Sequence, residues 1–493
     1  MTAVFTSSGL GLFNSSIDVL GQGALAGAAA HGQSGEQVFV NAASGNLVLR
    51  RDDEFLVGQG LDGLFSRTYN SQGGGFGGDV DDWMFNIHRS LSFSGTANTV
   101  GSTVTRRAAD GSLTVFNYDQ SSNRYISTDG SGAHNEIARS GNWWFFYADG
   151  GEYRERYRTS GQLNRIFDRN NTQLRVGYNS AGRVTNLQLR DPNGSEHQRI
   201  RFSYWGANRD YALRRVQVDT EGNRTTLVEY DYDGQNRLDE VRIDLTLDVT
   251  NDSQYYYTRY TYEGTSSRIA TMTQSDGTEL TFGYTNDAGT YRVSSVTNAL
   301  GEATQYTYGL SDAFGQYTEV LAATGATTKI YADGSGRLVR LEAPAVDGQR
   351  SVLTYAYDGD GNLSSVTDSY LSETTYSYDN NGNRLSSQDA LGNRIEWTYT
   401  NSDQVRTRTE YRVADPDGNG AATAAEPLTY RYIYDNRGQM THAIDPTGGV
   451  THYVYDSAGN QTQRRLFVGG HYDVSGLSVS AVPSANAVDT WIG

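Results

Sequence analysis

The stretch "YAYDGDGNLSSVTD", residues 355–368, contains the pattern that decides the fold. Two tyrosines stand two residues apart, an Asp/Gly/Asn cluster follows, and branched aliphatic residues come next. Side chains two apart lie on the same face of a β-strand. Asp and Gly favour a tight turn, because Asp can bond its own backbone and Gly accepts a positive φ. The stretch therefore predicts a strand, a turn and a second strand.

The same pattern recurs at regular intervals along the chain. Close copies of the aromatic pair are Tyr355/Tyr357, Tyr376/Tyr378, Trp397/Tyr399, Tyr432/Tyr434 and Tyr453/Tyr455. Three of the four intervals between them are 21 residues, and the other is 35. Looser copies are Val176/Tyr178, Phe202/Tyr204, Tyr230/Tyr232, Tyr260/Tyr262, Phe282/Tyr284 and Tyr306/Tyr308. Such a period is typical of a repeat array, in which we expect successive pairs to pack against each other.

Composition limits the possible partners. The chain has 493 residues, 35 of them Tyr and 56 Gly, and a hydrophobic fraction of 37%. A net charge of −17 disfavours nucleic acid and anionic membranes as partners. The absence of cysteine excludes disulfides, thiolate metal sites and a cysteine nucleophile. No apolar run approaches the roughly 18 residues of a spanning helix, so no membrane span is predicted.

The repeat predicts an all-β fold. Units of two short strands and two turns, placed side by side, form an antiparallel β-strip that must wind into a spiral, because twisted sheets do not stay flat. We expect a weakly ordered Gly/Ala-rich leader over residues 1–35 and an N-terminal β region over 36–150. The repeat array then covers 151–465, and a tail over 466–493 is expected to continue in a longer parent chain.

The stretch "YSYDNNGNRLSSQDALGN", residues 376–393, carries a family resemblance. Its Y-x-Y-D-x-x-G pattern resembles the YD repeat of Rhs proteins, of the B and C components of bacterial Tc toxins, and of teneurins. Residues 38–72 and 81–91 resemble the region that leads into the repeats of Rhs proteins. The resemblance implies a partial hollow shell, which in full-length relatives encloses a C-terminal toxic polypeptide. It also implies a bacterial protein that is secreted or lies at the cell surface.

The interval of 35 residues contains a candidate calcium loop over residues 415–426. Its sequence "DPDGNGAATAAE" fits the pattern D-x-[DN]-x-[DN]-G-x₅-E, which places oxygen ligands around one ion. The predicted Ca²⁺ ligands are the side chains of Asp415, Asp417, Asn419 and Glu426, the Ala421 carbonyl, and a water held by Thr423. The alternative is a solvated turn. The D-P-x-G sequence at 445–448 lacks the flanking motif linked to self-cleavage in Rhs proteins, and we predict an ordinary turn there.

Three weaker candidates remain from the residues alone. His442 and His452 are predicted to face each other across a hairpin, either as a metal pair or as surface histidines. Asp79, Asp81 and Asp82 beside Trp83 suggest a carboxylate pair for glycoside hydrolysis, although solvated acids are expected in a Gly-rich loop. The run 143–146, "WWFF", is either a carbohydrate platform or a buried strand, and the strand is favoured.

Two functions fit these observations. The first is a structural shell segment that encapsulates or displays a downstream polypeptide or toxin of the parent chain. The second is an extracellular module with a calcium-stabilised loop that binds a cell-surface glycan or protein. A glycan hydrolase is a third alternative, but no catalytic motif specifies it, and we expect the chain not to be an enzyme.

Overall fold

The regular secondary structure of the computed structural model is almost all β-strand, which confirms the predicted all-β class. It describes residues 2–13, 15–16, 29–33, 35–58, 61–74, 81–127, 135–148, 153–207, 212–220, 223–246, 254–413, 425–457 and 459–493. The strands are β1 (Ala3–Phe5), β2 (Ala30–His31), β3 (Glu36–Asn41), β4 (Leu47–Leu56), β5 (Gly63–Asn70), β6 (Trp83–Phe85), β7 (Ser90–Ser94), β8 (Thr103–Arg107), β9 (Leu113–Asp119), β10 (Arg124–Ile126), β11 (Glu136–Ser140), β12 (Trp143–Ala148), β13 (Tyr153–Arg158), β14 (Leu163–Phe167), β15 (Gln173–Tyr178), β16 (Val184–Arg190), β17 (Glu196–Tyr204), β18 (Leu213–Thr220), β19 (Asn223–Tyr232), β20 (Leu238–Asp244), β21 (Tyr255–Tyr262), β22 (Ile269–Gln274), β23 (Glu279–Asp287), β24 (Thr290–Asn298), β25 (Ala303–Asp312), β26 (Gly315–Leu321), β27 (Thr327–Ala332), β28 (Leu338–Glu342), β29 (Val352–Tyr357), β30 (Leu363–Asp368), β31 (Glu373–Tyr378), β32 (Arg384–Gln388), β33 (Arg394–Tyr399), β34 (Val405–Val413), β35 (Ala425–Tyr434), β36 (Met440–Ile444), β37 (Val450–Tyr455) and β38 (Gln461–Leu466). A 3₁₀ turn (Asn86–His88) follows β6, and one α-helix, α1 (Ala485–Ile492), lies in the tail.

Strands β1–β6 form a separate small sheet, the N-terminal sheet, in the order β1-β3-β4-β5-β6, with β2 also paired to β3. All its pairings are antiparallel except β1 with β3, where Ala3 lies opposite Phe39 in a parallel register. Strand β1 is fully buried. The expected weakly ordered leader over residues 1–35 is therefore wrong for Ala3–Phe5, because this apolar segment gains a strand partner; residues 17–28 lie outside the described part.

Strands β7–β38 form one continuous antiparallel sheet, the strip, in which each strand pairs with its neighbours in sequence. In the described part of the chain no strand ladder joins β7 to β38, so this sheet is an open strip. It begins at Ser90, within the region 36–150 that was expected to precede the repeats. The register shifts at the second tyrosine of a pair, for example at Tyr357 and Tyr378, so each repeat contains a β-bulge that bends the strip.

The turns of the strip have the predicted chemistry. In the turn after Tyr357, Gly361 has φ 85° and its N–H donates to the Asp358 carbonyl at 3.2 Å. The Asp358 carboxylate accepts from the Asn362 N–H at 2.9 Å. The D-P-x-G segment has the same geometry, with Gly448 at φ 90° and its N–H donating to the Asp445 carbonyl at 3.0 Å. This agrees with the prediction of an ordinary turn.

The strip curls until distant turns touch. Arg169, in the turn between β14 and β15, donates from its guanidinium to the carbonyl of Gly438, in the turn between β35 and β36. In the turn between β37 and β38, the α-carbon of Gly459 lies so near Asn170 that an added Cβ would be 2.2 Å from Nδ2 of Asn170. Turns near both ends of the repeat array therefore contact each other, and the predicted winding of the strip is confirmed.

The main core lies between the N-terminal sheet and one face of the strip. Aromatic rings meet across it: Phe65 packs on Phe202 with ring centroids 4.8 Å apart, and Trp83 packs on Tyr260 at 5.0 Å. The buried apolar cluster continues along the strip as far as Tyr355. A second, smaller cluster lies on the opposite face, where the tail packs Val488 against Ile444. The two faces of the strip are thus covered by different parts of the chain.

Candidate functional site

The first aromatic position of each repeat lies on the face that meets the N-terminal sheet, which we call the aromatic face. The buried members of this row, with 1 to 7% of their surface exposed, are Val176, Phe202, Tyr230, Tyr260, Phe282, Tyr306 and Tyr355. The next members are only half-buried: Tyr376, Trp397, Tyr432 and Tyr453. The row is therefore continuous, but the N-terminal sheet covers only its first part. We call the aromatic side of β31–β38, where no described residue belongs to the main core, the open face.

The expected packing between successive pairs has a different form in the structure. Among the described residues, the rings of Tyr355 and Tyr376 make no ring-to-ring contact. The second tyrosine couples neighbouring strands instead, because its hydroxyl donates to a backbone carbonyl of the preceding strand. These bonds, 2.6 to 2.9 Å long, are Tyr178 to Leu163, Tyr204 to Val184, Tyr262 to Leu238, Tyr284 to Ile269, Tyr308 to Val293, Tyr357 to Leu338, Tyr378 to Leu363, Tyr399 to Arg384, Tyr434 to Val405 and Tyr455 to Met440. An arginine covers several of these rings, for example Arg337 at 4.8 Å from the centroid of Tyr357.

A buried ionic network joins the N-terminal sheet to the strip. Arg67 of β5 is fully buried and pairs with Asp53 and with Glu36, the latter at 3.0 Å. Two tyrosines of the strip complete the network: Tyr260 donates to Glu36 at 2.9 Å and Tyr230 donates to Asp53 at 2.7 Å. Burial alone would lower the pKa of Arg67, but the two carboxylates raise it well above its usual value, so the guanidinium stays charged.

A second buried network surrounds Glu155 of β13. Its carboxylate accepts from Arg106 of β8 at 2.9 Å and from Arg89, which precedes β7, at 2.6 Å. Tyr153 and Tyr157 also donate to it. Burial by itself raises the pKa of Glu155, but the arginines lower it well below its ordinary range, so the group is a carboxylate. The network fixes the connection between the N-terminal sheet and the start of the strip.

The acidic cluster near Trp83 has a structural role. Asp81 and Asp82 are buried rather than solvated, because their carboxylates accept hydrogen bonds from distant parts of the strip. Asp81 accepts from the Leu238 N–H at 3.0 Å, and Asp82 accepts from the hydroxyl of Ser267. Asp79 lies outside the described residues. The aromatic run forms strand β12 with Trp144 and Phe146 buried, as the favoured alternative predicted.

The candidate calcium loop lies mostly outside the described residues. This holds for Asp415, Asp417, Asn419, Ala421 and Thr423. Glu426 is described: it is exposed, lies near the start of β35, and has a left-handed backbone with φ 53°. The strands on either side pair directly, with Tyr411 opposite Pro427, so the loop connects two adjacent strands of the strip.

His442 and His452 face each other across the hairpin of β36 and β37, as predicted. Their rings are stacked, with centroids 4.6 Å apart and planes 6° apart. The sequence did not indicate the third member of this cluster, Asp489 of α1, whose Oδ1 lies 3.1 Å from Nε2 of His442. Burial, and then the neighbouring His452, lower the pKa of His442 more than Asp489 raises it.

Residues 326–472 match the family model described as the Teneurin YD-shell. Among curated proteins the comparison gives no match. In the described part of the chain, no helix has the length and apolar character needed to cross a bilayer.

Solved structures of Tc toxin complexes are similar over most of this chain. A crystal structure of TcdB2-TccC3-TEV is 13% identical, with a TM-score of 0.39, over 89% of this chain and 24% of that one. TcdB2-TccC3 without its hypervariable C-terminal region is 12% identical, with a TM-score of 0.40, over 88% and 25%. A Tc holotoxin pore of Photorhabdus luminescens is 12% identical, with a TM-score of 0.36, over 86% and 26%.

The chain thus spans about a quarter of the length of those Tc structures. The family match covers β27–β38, the part of the strip that contains the close copies of the tyrosine pair and the open face. The chain resembles YD-repeat shell proteins, as the resemblance of its Y-x-Y-D-x-x-G segments indicated.

Proposed function

We propose that this chain is a structural shell segment whose open face receives another polypeptide, in particular a toxin or other downstream segment of a longer parent protein. The observation that carries the proposal is the change along one row of side chains. Tyr355 is buried at 6% exposure, and the equivalent Tyr376 and Trp397 are half-buried. Because the aromatic face is the one that binds the N-terminal sheet, its uncovered continuation offers the same kind of surface to a further polypeptide.

The chemistry of the open face suits an unfolded chain. Tyrosine combines apolar area with a hydroxyl, and arginine covers the rings, as Arg384 does at 4.5 Å from the centroid of Tyr376. Such a surface binds apolar and acidic side chains without requiring one sequence. The proposal makes no use of a catalytic group, and the localisation that goes with it, secretion or display by a bacterium, is part of the same proposal.

The test uses the full chain and a permanently unfolded polypeptide, reduced and carboxymethylated α-lactalbumin. We expect hydrogen exchange in β31 and β33 to slow when this polypeptide is added, while β19 and β21, under the N-terminal sheet, stay unchanged. A Tyr376→Ser/Trp397→Ser double variant should lose the protection. A matched control is Ser377→Ala/Ser386→Ala, because these two hydroxyls bond each other on the opposite side of neighbouring strands. Equal exchange with and without the polypeptide contradicts the proposal.

The alternative, a glycan- or protein-binding module with a calcium-stabilised loop, is supported by the position of the loop. The hairpin between β34 and β35 carries the loop at 415–426, whereas the turn between β36 and β37 is a short Asp-to-Gly turn. We propose Ca²⁺ binding there by the ligands predicted above. Glycans that slow exchange in β31 and β33, where the unfolded polypeptide does not, would favour this alternative.

A further inference from the structure

Within the described residues, one group of three potential metal-ligating side chains has its ligand atoms within 4.8 Å of one another: His442, His452 and Asp489. The two histidines come from adjacent strands of the strip and the aspartate from the tail helix. The cluster lies on the face opposite the open face, since Thr451 and Tyr453, which flank His452, point to the other side of β37. It is therefore separate from the proposed polypeptide surface.

The hydrogen bonds around His442 determine which ring nitrogen is free. The Thr441 hydroxyl donates to the Ile433 carbonyl at 3.3 Å, so toward Nδ1 of His442, 3.1 Å away, it acts as acceptor. Nδ1 then carries the proton, and the neutral ring has its lone pair on Nε2. That lone pair faces Oδ1 of Asp489 at 3.1 Å. Two acceptors at this distance need a positive charge between them or on one of them.

The distances suit a tetrahedral metal ion. Two ligand atoms bound to Zn²⁺ at about 2.0–2.2 Å lie about 3.3–3.6 Å apart when the angle between them is tetrahedral. The separation of 3.1 Å between Nε2 of His442 and Oδ1 of Asp489 is about 0.2 Å shorter than the lower end of this range. The His452 ring, stacked at 4.6 Å, is half-buried, so a tilt of this ring can bring its nitrogen to the same distance.

The surroundings hold the third ligand in place and leave room for a fourth. Val488, beside Asp489, is fully buried against the strip, and Ser484 caps the helix by accepting from the Ala487 N–H at 3.2 Å. Arg431 of β35 donates to the Ala481 carbonyl at 2.9 Å and so fixes the chain that leads into the helix. Half of the Asp489 side chain is exposed, 53%, so water can reach the fourth coordination position.

We propose that His442, His452 and Asp489 form a binding site for a divalent transition-metal ion, with Zn²⁺ the best fit to two imidazoles, one carboxylate and a water. The bound ion links the tail helix to the hairpin of β36 and β37. Its role is structural: it fastens the tail to the strip on the side away from the open face.

The experiment uses the full chain after chelator treatment, with zinc chloride as the only added metal. We expect zinc to raise the unfolding midpoint and to protect α1 from proteolysis. His452→Gln and Asp489→Asn should each weaken zinc binding by about tenfold or more in titration calorimetry. His471→Gln is the matched control, because this exposed tail histidine lies outside the cluster, and it should bind zinc like the wild type.

X-ray absorption of the zinc-loaded chain supplies a second readout that does not depend on folding of a variant. We expect only nitrogen and oxygen ligands at about 2.0–2.2 Å, with the outer-shell signal of two imidazoles. The proposal is overturned if the wild-type chain binds zinc no more tightly than the His452→Gln/Asp489→Asn double variant. It is also overturned if the absorption spectrum shows fewer than two imidazoles.

Discussion

Strands β15–β29 and strands β31–β38 are built from the same repeat, yet only the first group contributes to the main core. Both have the aromatic pair, the Asp-to-Gly turn and the tyrosine hydroxyl bonded to the preceding strand. They differ in what covers them: Tyr230 and Tyr260, both at 1% exposure, pack against Phe85 and Trp83 of the N-terminal sheet, whereas Tyr376 and Tyr453 are only half-buried. The repeat therefore determines the strip, and a second layer determines where the strip has a core.

The difference in unfolding free energy between the two groups of strands should be largest where buried ion pairs hold the N-terminal sheet on the strip. Arg67→Met removes the fully buried cation that pairs with Glu36 and Asp53, and we expect a loss of about 3–5 kcal/mol in unfolding free energy. Arg394→Met, which breaks the half-exposed pair with Glu396 on β33, should cost at most about 1 kcal/mol. Denaturant unfolding measures both. Similar losses for the two variants would mean that the network does not hold the sheet on the strip.

The aromatic row gives the next largest difference. Phe282→Ala removes a ring with 4% exposure from the main core and should cost about 3–5 kcal/mol. Tyr376→Ala occupies the equivalent position on the open face, and we expect less than about half of that loss, since less surface is buried there. Denaturant unfolding again measures both. If a bound polypeptide raises the loss of unfolding free energy from Tyr376→Ala to the value for Phe282→Ala, that partner covers the open face as the N-terminal sheet covers the main core.

The sequence predicts the strip because its information is local. The tyrosine pair, the turn after Asp358 and the alternation along β29 all lie within one short segment, and each follows from strand and turn chemistry. The register of the two histidines follows in the same way, because His442 and His452 lie on either side of a single turn.

The connections between layers could not be predicted, because they join residues that are far apart in the chain. Asp81 was expected to be solvated, yet its partner Leu238 is 157 residues away. Arg67 meets Tyr260 across 193 residues. Asp489 belongs to a helix in a tail without repeats, and no spacing indicated that it reaches His442. Periodicity describes neighbours along the strip and contains no information about what lies on its face.

Acid should lower the unfolding free energy by less than the substitutions of Arg67 and Phe282. The reason is that protonation removes only the charge of the Glu155 carboxylate and leaves the side chain in place. The folded-state pKa of Glu155 lies below its unfolded value of 4.5. Its contribution to stability is therefore complete above about pH 4.5 and is lost as the pH falls from there toward the folded pKa. The unfolding free energy, measured from pH 6 downward, should decline less steeply in Glu155→Gln. Glu410→Gln, an exposed glutamate of β34, should keep the wild-type slope.

The tyrosine hydroxyls that bond the preceding strand should contribute to the unfolding free energy both beside the main core and on the open face. We expect the two contributions to differ only modestly. Tyr378→Phe removes the bond to the Leu363 carbonyl on the open side and should cost about 0.5–1.5 kcal/mol. Tyr284→Phe removes the bond to the Ile269 carbonyl beside the covered core, where the abandoned acceptor is harder to hydrate, so about 1–3 kcal/mol is expected. Equal small costs in denaturant unfolding would show that water reaches both carbonyls.

The smallest effect is expected from calcium, and it should be confined to the open part. If the loop 415–426 binds Ca²⁺ with a Kd of about 10⁻⁴ to 10⁻³ M, about 1 mM calcium stabilises the folded chain by about 0.4–1.4 kcal/mol. Chelation should then speed hydrogen exchange in β34 and β35 and leave β19 unchanged, because a repeat contacts mainly its neighbours. Glu426→Gln should abolish the calcium effect by weakening the bidentate ligand. Asp360→Asn is the matched control, since "DGDGN" at 358–362 begins the same pattern but forms a simple turn around Asp358. If exchange in β34 and β35 is the same with calcium and with chelator, the loop is a solvated turn, and the open part depends on a polypeptide partner alone for further stability.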